Sequence, residues 1–162
     1  MKVIFLDIDG VLNCQSSKSR EPGGCIGIDD VRVKLLREIV DATGAKIVLT
    51  STWQKEWKPE GITDSGKYLI NKLRRERLNV FSRTGKWSWN DRGQGIIDWL
   101  NRSPEEIQSW IVLDDEIFDD YPRCGIMPHL VLTDFYSDGL NETCVERAIE
   151  LLGWMDDYEQ RA

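Results

Sequence analysis

Histidine is nearly missing from this chain. His129 is the only one among 162 residues, which argues against a histidine-based catalytic triad and against a multi-histidine metal site. Cysteine is scarce too: Cys14, Cys25, Cys124 and Cys144 form no CxxC pair and no zinc spacing. No apolar run approaches the roughly 20 residues of a transmembrane helix. The N-terminal run Val3-Ile4-Phe5-Leu6 stops at Asp7, too short for the apolar region of a signal peptide. The thiols are therefore expected to be free, in a reducing cytoplasm. A basic excess is also lacking: 21 Lys and Arg stand against 28 Asp and Glu, a net charge of −7. Whole-molecule charge thus disfavours non-specific binding to nucleic acid. Repeats and low-complexity stretches are absent. The length suits one domain, expected to span residues 1–162.

What is present is alternation. Lys2 to Leu6 reads as a buried parallel strand ending in acid, because it has no polar face. Asp29 or Asp30 can cap a helix with Val31, Leu35, Leu36, Ile39 and Val40 on one face and Gly44 at its end. Ala45 to Leu49 is a second buried strand, followed by Thr50-Ser51-Thr52. A helix is expected near Lys67 to Arg77, a short strand near Leu78 to Ser82, and a helix from Gly93 to Asn101. Ser103-Pro104-Glu105-Glu106 has the form of a capping box with Pro at the first helical position. Trp110 to Leu113 is a buried strand ending in Asp114-Asp115, and His129 to Leu132 is the last strand. Asn141 then caps a helix carrying Val145, Ala148, Ile149 and Leu152 inward. Buried strands alternating with amphipathic helices predict an α/β fold with a mostly parallel sheet flanked by helices.

In such sheets, ligands bind beyond the carboxyl ends of the strands. Three strand ends carry polar residues: Asp7-Ile8-Asp9, Thr50-Ser51 and Asp114-Asp115. Four neighbouring carboxylates cannot all stay ionised without a cation. Mg²⁺ suits a site with few carboxylates, several waters and a substrate phosphate. If the chain turns after Asp7, as Gly10 permits, Asp7 and Asp9 can face one substrate. One can then attack while the other handles the proton.

These residues carry a resemblance. Asp7-Ile8-Asp9-Gly10-Val11-Leu12-Asn13 resembles motif I of the haloacid dehalogenase (HAD) superfamily. Ile47-Val48-Leu49-Thr50-Ser51 is similar to motif II, and Ile111-Val112-Leu113-Asp114-Asp115 to the acidic motif IV. Arg92 is the best candidate for the motif III cation, with Lys86 as its rival, since the family more often has Lys there. The stretch from Arg92 through Trp99 to Asp115, and then His129 to Leu140, also resembles small HAD-like domains of nucleic-acid repair proteins. The resemblance implies a Rossmann-like phosphatase. Asp7 would be the nucleophile, forming an aspartyl-phosphate. Asp9 would be the general acid and then the base. Thr50 or Ser51 would bind the phosphoryl oxygens, and Arg92 or Lys86 would supply positive charge. Asp7, Asp9 through its backbone carbonyl, and Asp114 or Asp115 would hold Mg²⁺. Asp9 is retained, as a phosphatase requires and a dehalogenase does not.

The family often adds a cap domain. Here residues 13–28 suffice only for a flap. Residues 52–91 must supply core elements as well as partial cover of the site, so no sizeable cap is expected. An open site suits an end of a large molecule. Gly66 to Arg92 carries eight Lys and Arg against Glu76 and Asp91, interleaved with Trp87 and Trp89. This +6 segment suggests a nucleotide or oligonucleotide end phosphate as the substrate, with Arg83 and Lys86 near the mouth. The alternatives are a small phosphorylated metabolite, with these charges on a solvated face, or a non-catalytic binding module. Trp99, Trp110 and Trp154 are expected in the core, and His129 at a strand edge.

Overall fold

The computed structural model describes residues 1–58 and 63–161, with side chains as far as Gly153 at the C-terminal end. Five strands form one parallel sheet: β1 (Lys2–Leu6), β2 (Lys46–Leu49), β3 (Val80–Arg83), β4 (Ser109–Asp114) and β5 (Leu130–Leu132). Their order across the sheet is β3-β2-β1-β4-β5. Among the described residues four helices flank it: α1 (Asp30–Thr43), α2 (Asp64–Arg75), α3 (Arg92–Arg102) and α4 (Glu142–Arg161).

The central strand explains its own sequence. Val3, Ile4, Phe5 and Leu6 of β1 are all fully buried, because both faces of the sheet are covered. Ile4 and Leu6 join Ile47, Leu49, Ile111 and Leu113 beneath α1, α2 and α4. Val3, Phe5, Val48 and Val112 meet Ile96 and Trp99 of α3, and Tyr121 from the loop after β4. Leu6 is in register with Leu49 on one side and Leu113 on the other. The next residues, Asp7, Thr50 and Asp114, therefore leave the sheet side by side. The strand order reverses direction at the β1/β4 junction, the position where open α/β sheets hold their ligands.

The local signals were mostly honoured. Gly44 ends α1 in the left-handed region, its N–H donating to Val40 O, and the Asn141 side chain accepts from Cys144 N at 2.9 Å. Several expectations are corrected. Val31 is exposed, and the buried face of α1 is Val33, Leu36 and Ile39. The helix expected at Lys67 starts at Asp64, where the Thr63 hydroxyl accepts from Gly66 N. Ser103-Pro104 opens no helix. Ser103 ends α3 with extended backbone, as a residue before proline prefers, and the Gln108 N–H already bonds Met1 O on the way into β4. His129 ends a 3₁₀ turn, Met127–His129, and the strand begins at Leu130. Its ring stacks on Trp110 with centroids 3.6 Å apart. The core position expected for Trp154 lies outside the described residues.

Among the described residues there is no cap domain. Between β2 and α3 the chain forms a 3₁₀ turn (Thr52–Lys55), α2 and β3, and α2 places Leu69, Ile70 and Leu73 in the main core. The flap of residues 13–28 folds back on itself through an Arg20–Ile26 bridge. It is tied to α2 where Ser65 donates to Glu21 and the Ile28 N–H donates to the Tyr68 hydroxyl at 2.9 Å. Among the described residues no helix is long and apolar enough to cross a membrane.

Candidate active site

Asp7 N donates to Leu113 O at 2.9 Å and Thr50 N to Leu6 O at 3.0 Å, so both residues are held by the last rungs of the sheet. Past Asp7 the chain turns at once: the N–H groups of Val11 and Leu12 both return to Ile8 O. Gly10 adopts φ +80°, and a Cβ built there would overlap the Asp115 carboxyl group. Glycine is required twice over, for the turn and for the approach of Asp115. Asn13 braces the turn. Its Oδ1 accepts from Gly10 N at 2.8 Å, while its Nδ2 donates to Asp9 Oδ1 at 2.9 Å and to Gly27 O at 2.8 Å. Thr133 Oγ1, from beyond β5, donates to Gly10 O at 2.6 Å.

Asp7, Asp114 and Asp115 each offer an oxygen within 4.8 Å of the others, the one such cluster of metal-ligating groups among the described residues. Arg92, the first residue of α3, reaches them from the face of the sheet that α3 covers. Its Nη1 lies 3.3 Å from Asp7 Oδ1 and 3.2 Å from Asp114 Oδ2. Its guanidinium carbon sits 3.9 Å from the centroid of the Phe118 ring. The helix start itself is fixed by Asp120, which accepts from Gly93 N at 3.0 Å and Gln94 N at 2.8 Å. A Cβ on Gly93 would come within 2.9 Å of that carboxylate.

Three carboxylates and one guanidinium leave an excess of negative charge in a buried place. Burial and the Asp114 charge push the Asp7 pKa up to about 8, against the smaller opposing pull of Arg92. Burial also raises Asp114 to about 6, against the lowering effects of Arg92 and the Tyr121 hydroxyl. Burial and the neighbouring Asp7 and Glu116 raise Asp115 to about 7. A divalent cation with a preference for oxygen would restore the ionised forms, so the donor set fits Mg²⁺. Asp114 already spends its oxygens: Oδ2 accepts from Arg92 and from the Tyr121 hydroxyl at 2.7 Å, and Oδ1 accepts from Glu116 N. Asp7 and Asp115 are the freer pair.

Two buried polar atoms have no protein partner among the described residues: Thr50 Oγ1 and Arg92 Nε. An unpaired buried donor costs about 1–3 kcal/mol; Arg92 pairs with Asp7, and Thr50 leaves the strand beside it. They are suited to the oxygens of an incoming anion. Ser51, the alternative to Thr50, is occupied. Its hydroxyl accepts from Trp53 N to start the 3₁₀ turn and hydrogen-bonds Asp7. Asp9 stands apart from the cluster and is exposed. Its second oxygen accepts from Trp53 Nε1 at 3.1 Å.

Lys86 does not join the site. Its ammonium pairs with Asp98 of α3 at 2.8 Å. Arg83 is also engaged elsewhere, donating to the carbonyls of Gln54 and Trp57 at 2.7 and 3.2 Å, and Lys72 pairs with Asp30 at 2.9 Å. Lys72, Arg83 and Lys86 of the basic segment thus have partners within the protein. Trp53 and Trp57 are buried, whereas Trp87 and Trp89 are partly exposed, with Trp89 against Phe118. Sequence reasoning gave no role to Tyr121, Phe118, Asp120 or Thr133. The acidic run through Asp119 and Asp120 was a visible signal; for Tyr121 there was none.

Tyr121 offers a clean test of this packing. It is fully buried, and burial together with Asp114 holds its hydroxyl protonated far above the usual range. Tyr121→Phe keeps the ring and removes one donor from a buried carboxylate. It is expected to lower stability by about 1–3 kcal/mol, read as a lower urea midpoint with an unchanged m-value.

A comparison with curated proteins found no match to the chain. The family described as HAD domain in Swiss Army Knife RNA repair proteins matches residues 3–145. With the strand order, the acidic cluster at the β1/β4 junction and the missing cap already in hand, the match covers every element that builds the site. The chain belongs to this family of HAD domains.

Proposed function

We propose that this protein is a Mg²⁺-dependent phosphomonoester hydrolase that works through an aspartyl-phosphate on Asp7 and acts on the terminal phosphate of a nucleotide or RNA end. The observation that supports it most is Asp7 itself, a buried carboxylate at a strand end, paired with Arg92 and clustered with Asp114 and Asp115. The RNA end is drawn from the family's description, which names RNA repair proteins.

In this reading an Asp7 oxygen attacks phosphorus, and the bond to the leaving oxygen breaks. Arg92 and the Thr50 hydroxyl hold the phosphoryl oxygens, where charge builds in the transition state. Asp9 protonates the leaving oxygen, then takes a proton from the water that cleaves the aspartyl-phosphate. Asn13 and Trp53, one on each Asp9 oxygen, fix the carboxylate in plane and in direction. Asp7 and Asp115, with the backbone carbonyl of Asp9, would hold Mg²⁺; bound there, it offsets the repulsion between nucleophile and substrate.

The test is phosphate release from 3′- and 5′-phosphorylated oligoribonucleotides and from the matching mononucleotides, with Mg²⁺ and with a chelator. Release that needs Mg²⁺ is expected. No release from any phosphoester would sink the reading. Asp9→Asn separates the two acids. It is expected to lose about 10²–10⁴-fold in rate on alkyl phosphates and much less on an aryl phosphate, whose leaving group needs no proton. Equal losses on both would remove the acid role from Asp9.

A further inference from the structure

We infer that the cleft beside Asp9 is the leaving-group subsite and that it receives one terminal nucleoside, held by ring stacking and hydrogen bonds and not by cationic contacts to a chain. This rests on the phosphatase reading above. The cleft has a volume of about 650 Å³, within the roughly 300–1,000 Å³ of small-molecule sites and far more than a phosphoryl group fills. Asp9 lines it, whereas Arg92, Asp114 and Asp115 do not. It therefore lies on the side of the group that protonates the leaving oxygen, where whatever that oxygen carries must go.

The walls say what that group is. Trp53 and Phe135 are both in the lining. Trp53 is pinned by its indole N–H on Asp9. The Phe135 backbone is tied to the flap, its carbonyl accepting from Gln15 N at 2.8 Å; the residue is half-buried, with its ring edge-on to Tyr136. A ring that lines the cleft on a fixed backbone can stack a flat base. Among the described residues the charged lining is Asp9, Glu21 and Glu56 against Lys55. Carboxylates accept from ribose hydroxyls and from exocyclic amino groups, and they repel a run of phosphates. Three cations of the basic segment, Arg83, Lys86 and Lys72, are bonded elsewhere. The backbone of a longer substrate must then run outside the cleft, unheld.

The experiment compares kcat/KM for adenosine monophosphate, a five-nucleotide RNA with the same terminal phosphate, glycerol phosphate and choline phosphate, in wild type and Phe135→Ala. The mononucleotide is expected to exceed glycerol phosphate by about tenfold or more, the size of one base–aromatic stack. That ratio should collapse in Phe135→Ala through KM. The five-nucleotide RNA should match the mononucleotide within about threefold, with little response to salt, since few phosphates are contacted. Adenosine should inhibit wild-type glycerol phosphate hydrolysis competitively, a readout that needs no variant to fold. A chain-length gain with a steep salt slope, a ratio unchanged by Phe135→Ala in a folded variant, or no inhibition by adenosine overturns the subsite while leaving the phosphatase intact. Choline phosphate as the best substrate would recast the aromatic and acidic walls as a cation box and overturn it equally. Hydrolysis of none of the four removes both the phosphatase and the subsite.

Discussion

Replacing Asp7 with Asn is expected to abolish turnover and, in the same protein, to make the metal-free fold harder to unfold at pH 8. The first effect follows from losing the nucleophile. An amide of the same shape cannot form the aspartyl-phosphate, and loss of a covalent nucleophile costs on the order of 10⁴-fold or more. The second follows from linkage. Asp7 has a folded pKa of about 8 against an ordinary value of 3.8. Between those values the folded state holds a proton that the unfolded state has released, so stability falls as pH rises through the window. Asp115, raised to about 7, and Asp114, raised to about 6, titrate in the same direction within it. Asn carries no charge and also relieves its two neighbours. The variant should therefore gain on wild type as pH climbs from 5 to 8, by several degrees in Tm, and the gap should narrow at pH 4. Mg²⁺ should stabilise wild type, more at pH 8 than at pH 5, because it binds the ionised carboxylates, and should stabilise Asp7→Asn less. A metal-free wild type whose Tm is flat from pH 5 to 8 would contradict the account of the cluster, and wild-type turnover by Asp7→Asn would end the mechanism.

How much of this the sequence could yield depends on where each residue sits. β1, β2 and β4 were legible because their apolar runs have no polar face and stop abruptly at Asp7, Thr50 and Asp114. β3 was less so. It is a four-residue edge strand that ends in Arg83, it is only partly buried, and its pairing shifts register at Ile47/Val48. Ser103-Pro104 misled because the capping pattern is local, while the distance from α3 to β4 leaves no room for another helix. The meeting of Asp7, Asp114 and Asp115 was readable because neighbouring strand ends in a parallel sheet lie together, whereas Arg92 opens α3 and was legible only through the family resemblance. The parts that tune them were not. Tyr121 and Phe118 come from the loop after β4, and Trp53 from a single 3₁₀ turn. No periodicity governs the path of such segments. The partners of the +6 segment were not legible either: a count of charges does not say which are paired, and Asp30 and Asp98, which hold Lys72 and Lys86, lie on other stretches of the chain.

Arg92 carries the second large expectation. Arg92→Met, which keeps most of the side chain's bulk, should lower kcat by about 10²–10³-fold, the usual cost of removing a group aimed at developing charge in a dry site. Arg92→Lys should recover only part of it. Lys can supply the charge, but not the planar group that lies over Phe118 and leaves Nε free while Nη1 reaches two carboxylates. The same change strips two buried carboxyls of the cation between them, which costs about 3–5 kcal/mol of stability in the metal-free protein near neutral pH. The sign of the pH effect separates this role from simple packing. Arg92 pulls the Asp7 pKa down against burial, so its removal leaves Asp7 still harder to ionise. The acidic limb of the pH–rate profile should move to higher pH in Arg92→Met, less in Arg92→Lys, and activity should partly return as pH is raised. A variant that is merely mispacked would lose rate by the same factor at every pH. An unshifted acidic limb in a folded Arg92→Met protein would mean that the guanidinium does not govern the nucleophile, whatever its distance from it.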